Sequence, residues 1–213
     1  RYTEDDDAYN VFLRTGEQRG ADQIEAVERL VEDISEVEPN NDVALFRGGS
    51  GERGTSGKVF REGKLKVGDV LVNTDVTSFS ENPYIARVFA SSQGGASSAS
   101  HEGAITFDDT SVVFELPASE YLNATPISPF SASPNEVESV FLPGHYFQIQ
   151  RIEEVAGSNY RFMNVQLRQI PVEQVSGPAY DLRTGEAFSR DQYAAKLGED
   201  AKALVDAFFP PKS

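Results

Sequence analysis

The apolar spacing of this chain changes character near residue 42, and that change limits the folds open to it. Upstream, Ile24, Val27, Leu30, Val31, Ile34 and Val37 recur at the interval of one helix face. Downstream, apolar residues come in short runs: Val43-Ala44-Leu45-Phe46, Val70-Leu71-Val72, Val76-Thr77-Ser78-Phe79 and Val112-Val113-Phe114-Glu115-Leu116. Runs of that length, bounded by Gly, Pro, Asn and Asp, read as strands. Further strands are expected at 138–142, 146–152 and 160–169, with Gly144 turning the chain between the first two. The pattern becomes helical again at Leu197, Ala201, Leu204, Val205 and Phe208, and stops at Pro210-Pro211. Helices, then many short strands, then a helix indicate the α+β class rather than β-α-β alternation.

Local punctuation agrees. Thr3 is an expected N-cap with Asp5, Asp6 and Asp7 at the positive helix end, and Gly16 an expected stop, giving a helix over 3–15. Asp22 and Glu25 have capping-box spacing before a second helix over 22–37, which Glu38-Pro39-Asn40-Asn41 ends. Asn82 followed by Pro83 opens a short helix, and Ser189 with Gln192 opens the last. Residues 91–104 are rich in Ser, Gly and Ala and read as a loop, as does the stretch around Pro126, Pro129 and Pro134. The expected division is a helical part over 1–41, a β core over 42–175 and a helical tail over 176–213, all one domain.

The 213 residues carry 34 acidic and 19 basic side chains, a formal charge of −15. Such a field repels phosphate backbones and disfavours a nucleic-acid target. No run of about 18 apolar residues occurs, so no membrane-spanning helix is expected. Arg1 to Asp7 is polar and acidic, unlike a signal peptide, and the missing initiator Met reads as a domain taken from a longer polypeptide. Without cysteine there are no disulfides, thiolate zinc sites or Cys nucleophile.

Several motifs match in letters only. Gly49-Ser50-Gly51-Glu52-Arg53-Gly54 has dinucleotide-fingerprint spacing, but its continuation shows no helical apolar face for the third glycine to pack. Gly57-Lys58 is no phosphate loop, because Val59 stands where a magnesium-binding Ser or Thr belongs. His101 and His145 lack metal-ligand spacing and read as turn or surface residues.

Three segments survive. Arg47 ends an apolar strand as Leu45-Phe46-Arg47-Gly48, and Thr77-Ser78-Phe79-Ser80 ends another just before a helix. Glu136-Val137-Glu138 runs into Ser139-Val140-Phe141-Leu142-Pro143-Gly144. In an extended strand Glu136 and Glu138 share a face about 6.5–7 Å apart. Like charges so placed stabilise nothing, so they are either a solvated outer face or a site.

These segments, in this order, resemble the Arg–Ser-x-Ser–Glu-x-Glu class of mono-ADP-ribosyltransferases, which includes bacterial exotoxins and effectors and the vertebrate arginine-specific ecto-enzymes. The likeness spans roughly residues 42–170, with "LFRG", "TSFSENPYIARVFA" and "EVESVFLPGHYFQI" resembling the three family motifs; Phe79 stands where Thr is usual. The resemblance implies two small packed β-sheets around an NAD cleft, flanked by N-terminal helices and a C-terminal helix. It implies NAD⁺ as substrate and no metal. Arg47 would clamp the diphosphate or adjacent ribose, Gly48 would admit the nicotinamide amide, and Ser78, Phe79 and Ser80 would line the site. Ser78 would orient Glu138, Glu138 would stabilise the developing ribosyl cation, and Glu136 would activate an arginine acceptor. The loop 125–135, with Phe130 at its tip, would recognise the target, and 91–104 would cover the nicotinamide. A protein target, a cognate inhibitor or immunity protein, and secretion or delivery into a target cell's cytosol are further implications. Two rivals use the same residues differently: an NAD⁺ glycohydrolase with water as acceptor, and a non-catalytic acidic interaction module. Hydrolysis does not need Glu136, so the Glu pair favours transfer.

Overall fold

The computed structural model describes residues 2–17, 23–36, 41–51, 57–91, 107–122, 124–126, 138–157 and 161–211. The strands are β1 Leu45–Gly49, β2 Val70–Val72, β3 Thr77–Ser80, β4 Val112–Leu116, β5 Thr125–Pro126, β6 Glu138–Phe141, β7 Tyr146–Ala156, β8 Arg161–Ile170 and β9 Ala179–Asp181. The helices are α1 Tyr2–Thr15, α2 Gln23–Ser35, α3 Lys58–Arg61, α4 Pro83–Ala90, α5 Arg190–Leu197 and α6 Lys202–Phe208.

All nine strands hydrogen-bond in one order, β5-β6-β3-β1-β4-β8-β7-β2-β9. In a flat sheet β3 and β7 would stand four strand spacings apart, about 19 Å. Instead the Phe79 and Phe147 ring centroids lie 6.4 Å apart, and those of Phe141 and Phe147 5.1 Å apart. The sheet therefore curls until its two arms face each other. The two packed sheets expected from the sequence are arms of one continuous sheet, joined where β4 runs parallel to β8 from Val112 opposite Met163 to Glu115 opposite Gln166. Leu45, Leu71, Phe79, Phe114, Leu116, Phe141, Phe147, Ile149, Val165 and Leu167 fill the space between them. Burying that many large apolar side chains is the main reason the curl is stable.

The helices at the two ends of the chain share a second core. Phe12 and Leu13 of α1, Val27, Leu30 and Ile34 of α2, and Leu197, Leu204, Val205 and Phe208 pack together against Val70, Val72 and Val140. Gly16 ends α1 with φ +77°, and an added Cβ there would sit 2.0 Å from the Lys196 carbonyl oxygen. Thr3 lies inside α1, which begins at Tyr2, two residues earlier than a Thr3 cap allows. The C-terminal helix expected as one piece is broken at Gly198, φ +89°, into α5, a 3-10 turn Glu199–Ala201 and α6. Ser189 does cap α5, its Oγ accepting from the Gln192 amide. After the glycine loop only the four-residue α3 forms, too short for a dinucleotide helix. Asp22 and Val37 lie outside the described residues. Among the described residues no helix is long and apolar enough to cross a membrane.

Candidate active site

The three motifs sit on three adjacent strands. β1, with Arg47, pairs antiparallel with β3, where Phe46 faces Ser80. β3, with Ser78 and Ser80, pairs antiparallel with β6, running from Thr77 opposite Phe141 to Ser80 opposite Glu138. Segments far apart along the chain are thus neighbours across one arm of the sheet. Arg47 Nη1 donates to the Ser78 carbonyl at 2.9 Å, tying the arginine to the serine strand directly. Glu138 is the first residue of β6. Glu136, Phe130 and the segments 127–137 and 92–106 lie outside the described residues.

The serine motif divides its work. Ser78 is half-buried, while Phe79 is 1% exposed with its ring edge-on to Phe141 at 5.5 Å. Phe79, expected to line the NAD site, therefore belongs to the core between the arms. A Phe fits at this position because it faces other aromatics. Ser80 is buried and its Oγ accepts from the Asn82 amide at 3.0 Å, starting the turn into α4. Asn82 caps that helix as expected, accepting from the Tyr84 amide, with Pro83 behind it.

Gly48 has a structural reason to be glycine. A Cβ there would lie 1.7 Å from the Ala86 carbonyl oxygen and 2.9 Å from the Ala90 amide nitrogen. Helix α4 thus lies directly on β1, with Ala86, Ala90, Val113 and Phe162 packed around the contact. Small residues on both sides, Gly48 of β1 and Ala86 and Ala90 of α4, let helix and strand approach this closely.

After β6, Leu142-Pro143-Gly144 turns the chain as expected, yet β6 and β7 do not pair with each other. The turn carries the chain from one arm to the other. Gly144 adopts φ +95°, and an added Cβ would meet the Phe208 carbonyl oxygen at 2.1 Å. His145 follows, its ring against Phe141 and its Nδ1 3.4 Å from Gln169 Nε2.

Burial pushes the His145 imidazole from 6.5 down to about 4, so it stays neutral in the folded protein at physiological pH. The unfolded chain protonates this residue near pH 6.5, so stability declines as pH falls from 6.5 toward 4, and this contribution levels off below that. His145→Gln should therefore lose ~2–3 kcal/mol less stability than wild type between pH 7 and pH 4.5, measured by urea unfolding at both pH values. Equal acid losses in the two proteins would contradict a buried neutral imidazole.

Among the described residues no three His, Asp or Glu side chains converge as a metal site. No family model matches the sequence, and no curated protein matches it. Solved structures do match. Vis toxin, an ADP-ribosyltransferase from Vibrio splendidus, is 24% identical with a TM-score of 0.59, over 85% of this chain and 75% of that one. An ADP-ribosyltransferase from Clostridium botulinum is 15% identical with a TM-score of 0.53, over 78% of this chain and 81% of that one. Exoenzyme S from Pseudomonas aeruginosa, solved bound to Carba-NAD, is 19% identical with a TM-score of 0.50, over 76% of this chain and 68% of that one. A further structure of Vis holds agmatine. The curled sheet, its helical flank and these likenesses show that the chain has the ADP-ribosyltransferase fold.

Proposed function

We propose that this chain is a mono-ADP-ribosyltransferase that cleaves NAD⁺ and passes ADP-ribose to arginine side chains of a target protein. The observation that carries the reading is the strand order β6-β3-β1, which gathers Glu138, Ser78 and Arg47 on neighbouring strands. The fold it shares with Vis and the Clostridium botulinum enzyme supports the chemistry, and the Carba-NAD bound by Exoenzyme S supports the substrate.

The nicotinamide leaves with the electrons of its bond to ribose C1′, and positive charge builds on the ribose as in glycoside cleavage. Arg47 holds the NAD⁺ diphosphate, a task suited to a permanently charged, bidentate group. Glu138, oriented by Ser78, binds a ribose hydroxyl and stabilises the cation. An arginine nitrogen of the target attacks C1′ and gives up a proton to Glu136. The Glu pair and the agmatine found in Vis both favour a guanidinium acceptor. The −15 charge suits a basic protein partner better than nucleic acid. The fold shared with Vis toxin supports a role as an effector acting in the cytosol of a target cell.

The test follows nicotinamide release from NAD⁺ beside incorporation of labelled ADP-ribose into arginine peptides. Wild type should do both. Glu136→Gln, which keeps size and shape, should lose transfer by about 10²-fold or more while still releasing nicotinamide slowly. Equal loss of both activities would remove the acceptor role of Glu136. Release without transfer in the wild type would make the protein a glycohydrolase, and neither activity would leave an interaction module.

A further inference from the structure

We propose that Asn73 is a positioning residue for the transfer reaction, fixing the two chain crossovers that join the serine strand and the glutamate strand to the opposite arm of the sheet; the inference rests on the function proposed above. The first crossover, 73–76, leads from β2 in one arm to β3 in the other. The second, 142–145, leads back from β6 to β7. One enters the strand of Ser78 and the other leaves the strand of Glu138.

Asn73 is 1% exposed and bonds across both. Its Nδ2 lies 2.8 Å from the Leu142 carbonyl oxygen and 3.3 Å from those of Phe141 and Asp75. Its Oδ1 accepts from the His145 amide at 2.8 Å, which settles the orientation of the carboxamide. Its backbone completes the pair, with Asn73 N donating to the His145 carbonyl and Gly144 N to the Asn73 carbonyl. Phe141 and Thr77 form the last rung of the β3–β6 ladder, so the amide closes that ladder at its open end. No other residue type of this size donates and accepts at once from one rigid plane. Asp would keep the acceptor but set a carboxylate oxygen against three carbonyl oxygens.

A crossover bonded this way cannot slide, and β3 and β6 cannot shear relative to β2 and β7. The position of β3 and β6 on the opposite arm is then set, and with it the placement of Ser78 and Glu138 relative to a bound substrate. Misplacement of reacting groups by about 1 Å can cost on the order of 10²-fold in rate.

The experiment compares wild type, Asn73→Asp, Asn73→Ser and Tyr193→Phe, assayed for NAD⁺ cleavage at a temperature where unfolding curves show each fully folded. Tyr193→Phe is the control, because the Tyr193 hydroxyl donates to the Thr74 carbonyl of the same crossover at 2.8 Å without touching the second one. Both Asn73 variants should lose about 10–100-fold in kcat, with KM for NAD⁺ changed less than ~3-fold. Tyr193→Phe should lose melting temperature but keep its kcat. Wild-type kcat in either Asn73 variant, or an equal kcat loss in Tyr193→Phe, overturns the positioning role. If neither Asn73 variant folds, the amide only maintains the fold and the proposal is likewise overturned. An inactive wild type would instead sink the functional reading on which the inference stands.

Discussion

Glu138→Gln should abolish nicotinamide release and ADP-ribose transfer together, each by about 10²–10⁴-fold. Both reactions pass through the same ribosyl cation, so a group that stabilises it is needed whichever acceptor follows. Glutamine keeps the size of the side chain and removes its charge. Glu138 starts β6 opposite Ser80, and the ladder continuing to Phe141 depends on backbone bonds that the substitution leaves intact. Melting temperature should therefore move little, which separates this loss from one caused by unfolding. The measurement is single-turnover nicotinamide release with saturating NAD⁺, beside labelled incorporation on the same preparation. Full activity in Glu138→Gln would remove the protein from the proposed enzyme class. Loss of transfer alone would move Glu138 to the acceptor side of the reaction.

Gly48→Ala should destabilise the fold by about 3 kcal/mol or more, because the added methyl overlaps backbone rather than a side chain that can turn away. Its carbon would lie 1.7 Å from the Ala86 carbonyl oxygen, in the middle of α4. Relief requires the whole helix to lift from β1. For a chain of this size that is a fall of roughly 6–12 °C in melting temperature, readable by calorimetry. Lifting α4 also disturbs the Asn82 cap and the Ser80 turn beneath it, so NAD⁺ affinity should drop in whatever fraction remains folded. A variant with wild-type melting temperature would show that α4 does not sit on Gly48 in solution. A stable variant with weakened NAD⁺ binding would instead favour the nicotinamide contact that the family resemblance implies for this glycine.

Much of the architecture was legible in the sequence because its signals are local. The period-3.6 stripe of α2 with Val27, Leu30 and Ile34, the Asn82-Pro83 helix start and the apolar runs of β1, β3 and β4 each depend on a few neighbouring residues. The three motif segments could be found for the same reason. What the local patterns could not carry was which strand lies beside which. The placement of β3 between β1 and β6, the parallel pairing of β2 with β9, and the parting of β6 from β7 after the Leu-Pro-Gly turn come from contacts across the whole chain. The role of Phe79 belongs here too. A short strand reading cannot say which face meets the opposite arm, and the burial of Phe79 against Phe141 and Phe147 settled it.

Asn73 marks the boundary most clearly. In the sequence it is one polar residue after a short strand, and turn-forming Asn is common at such places. Only the folded chain brings Leu142 and His145 to it, 69 and 72 residues away in sequence. The sequence by itself determined the α+β class, the Asn82 and Ser189 helix caps and the residues with chemistry to offer, since each follows from side-chain pattern and backbone preference over a few positions. Tertiary structure decided the curl of the sheet, the close seat of α4 on Gly48 and the union of the three motifs, because those depend on burying apolar faces and satisfying polar groups between segments far apart along the chain.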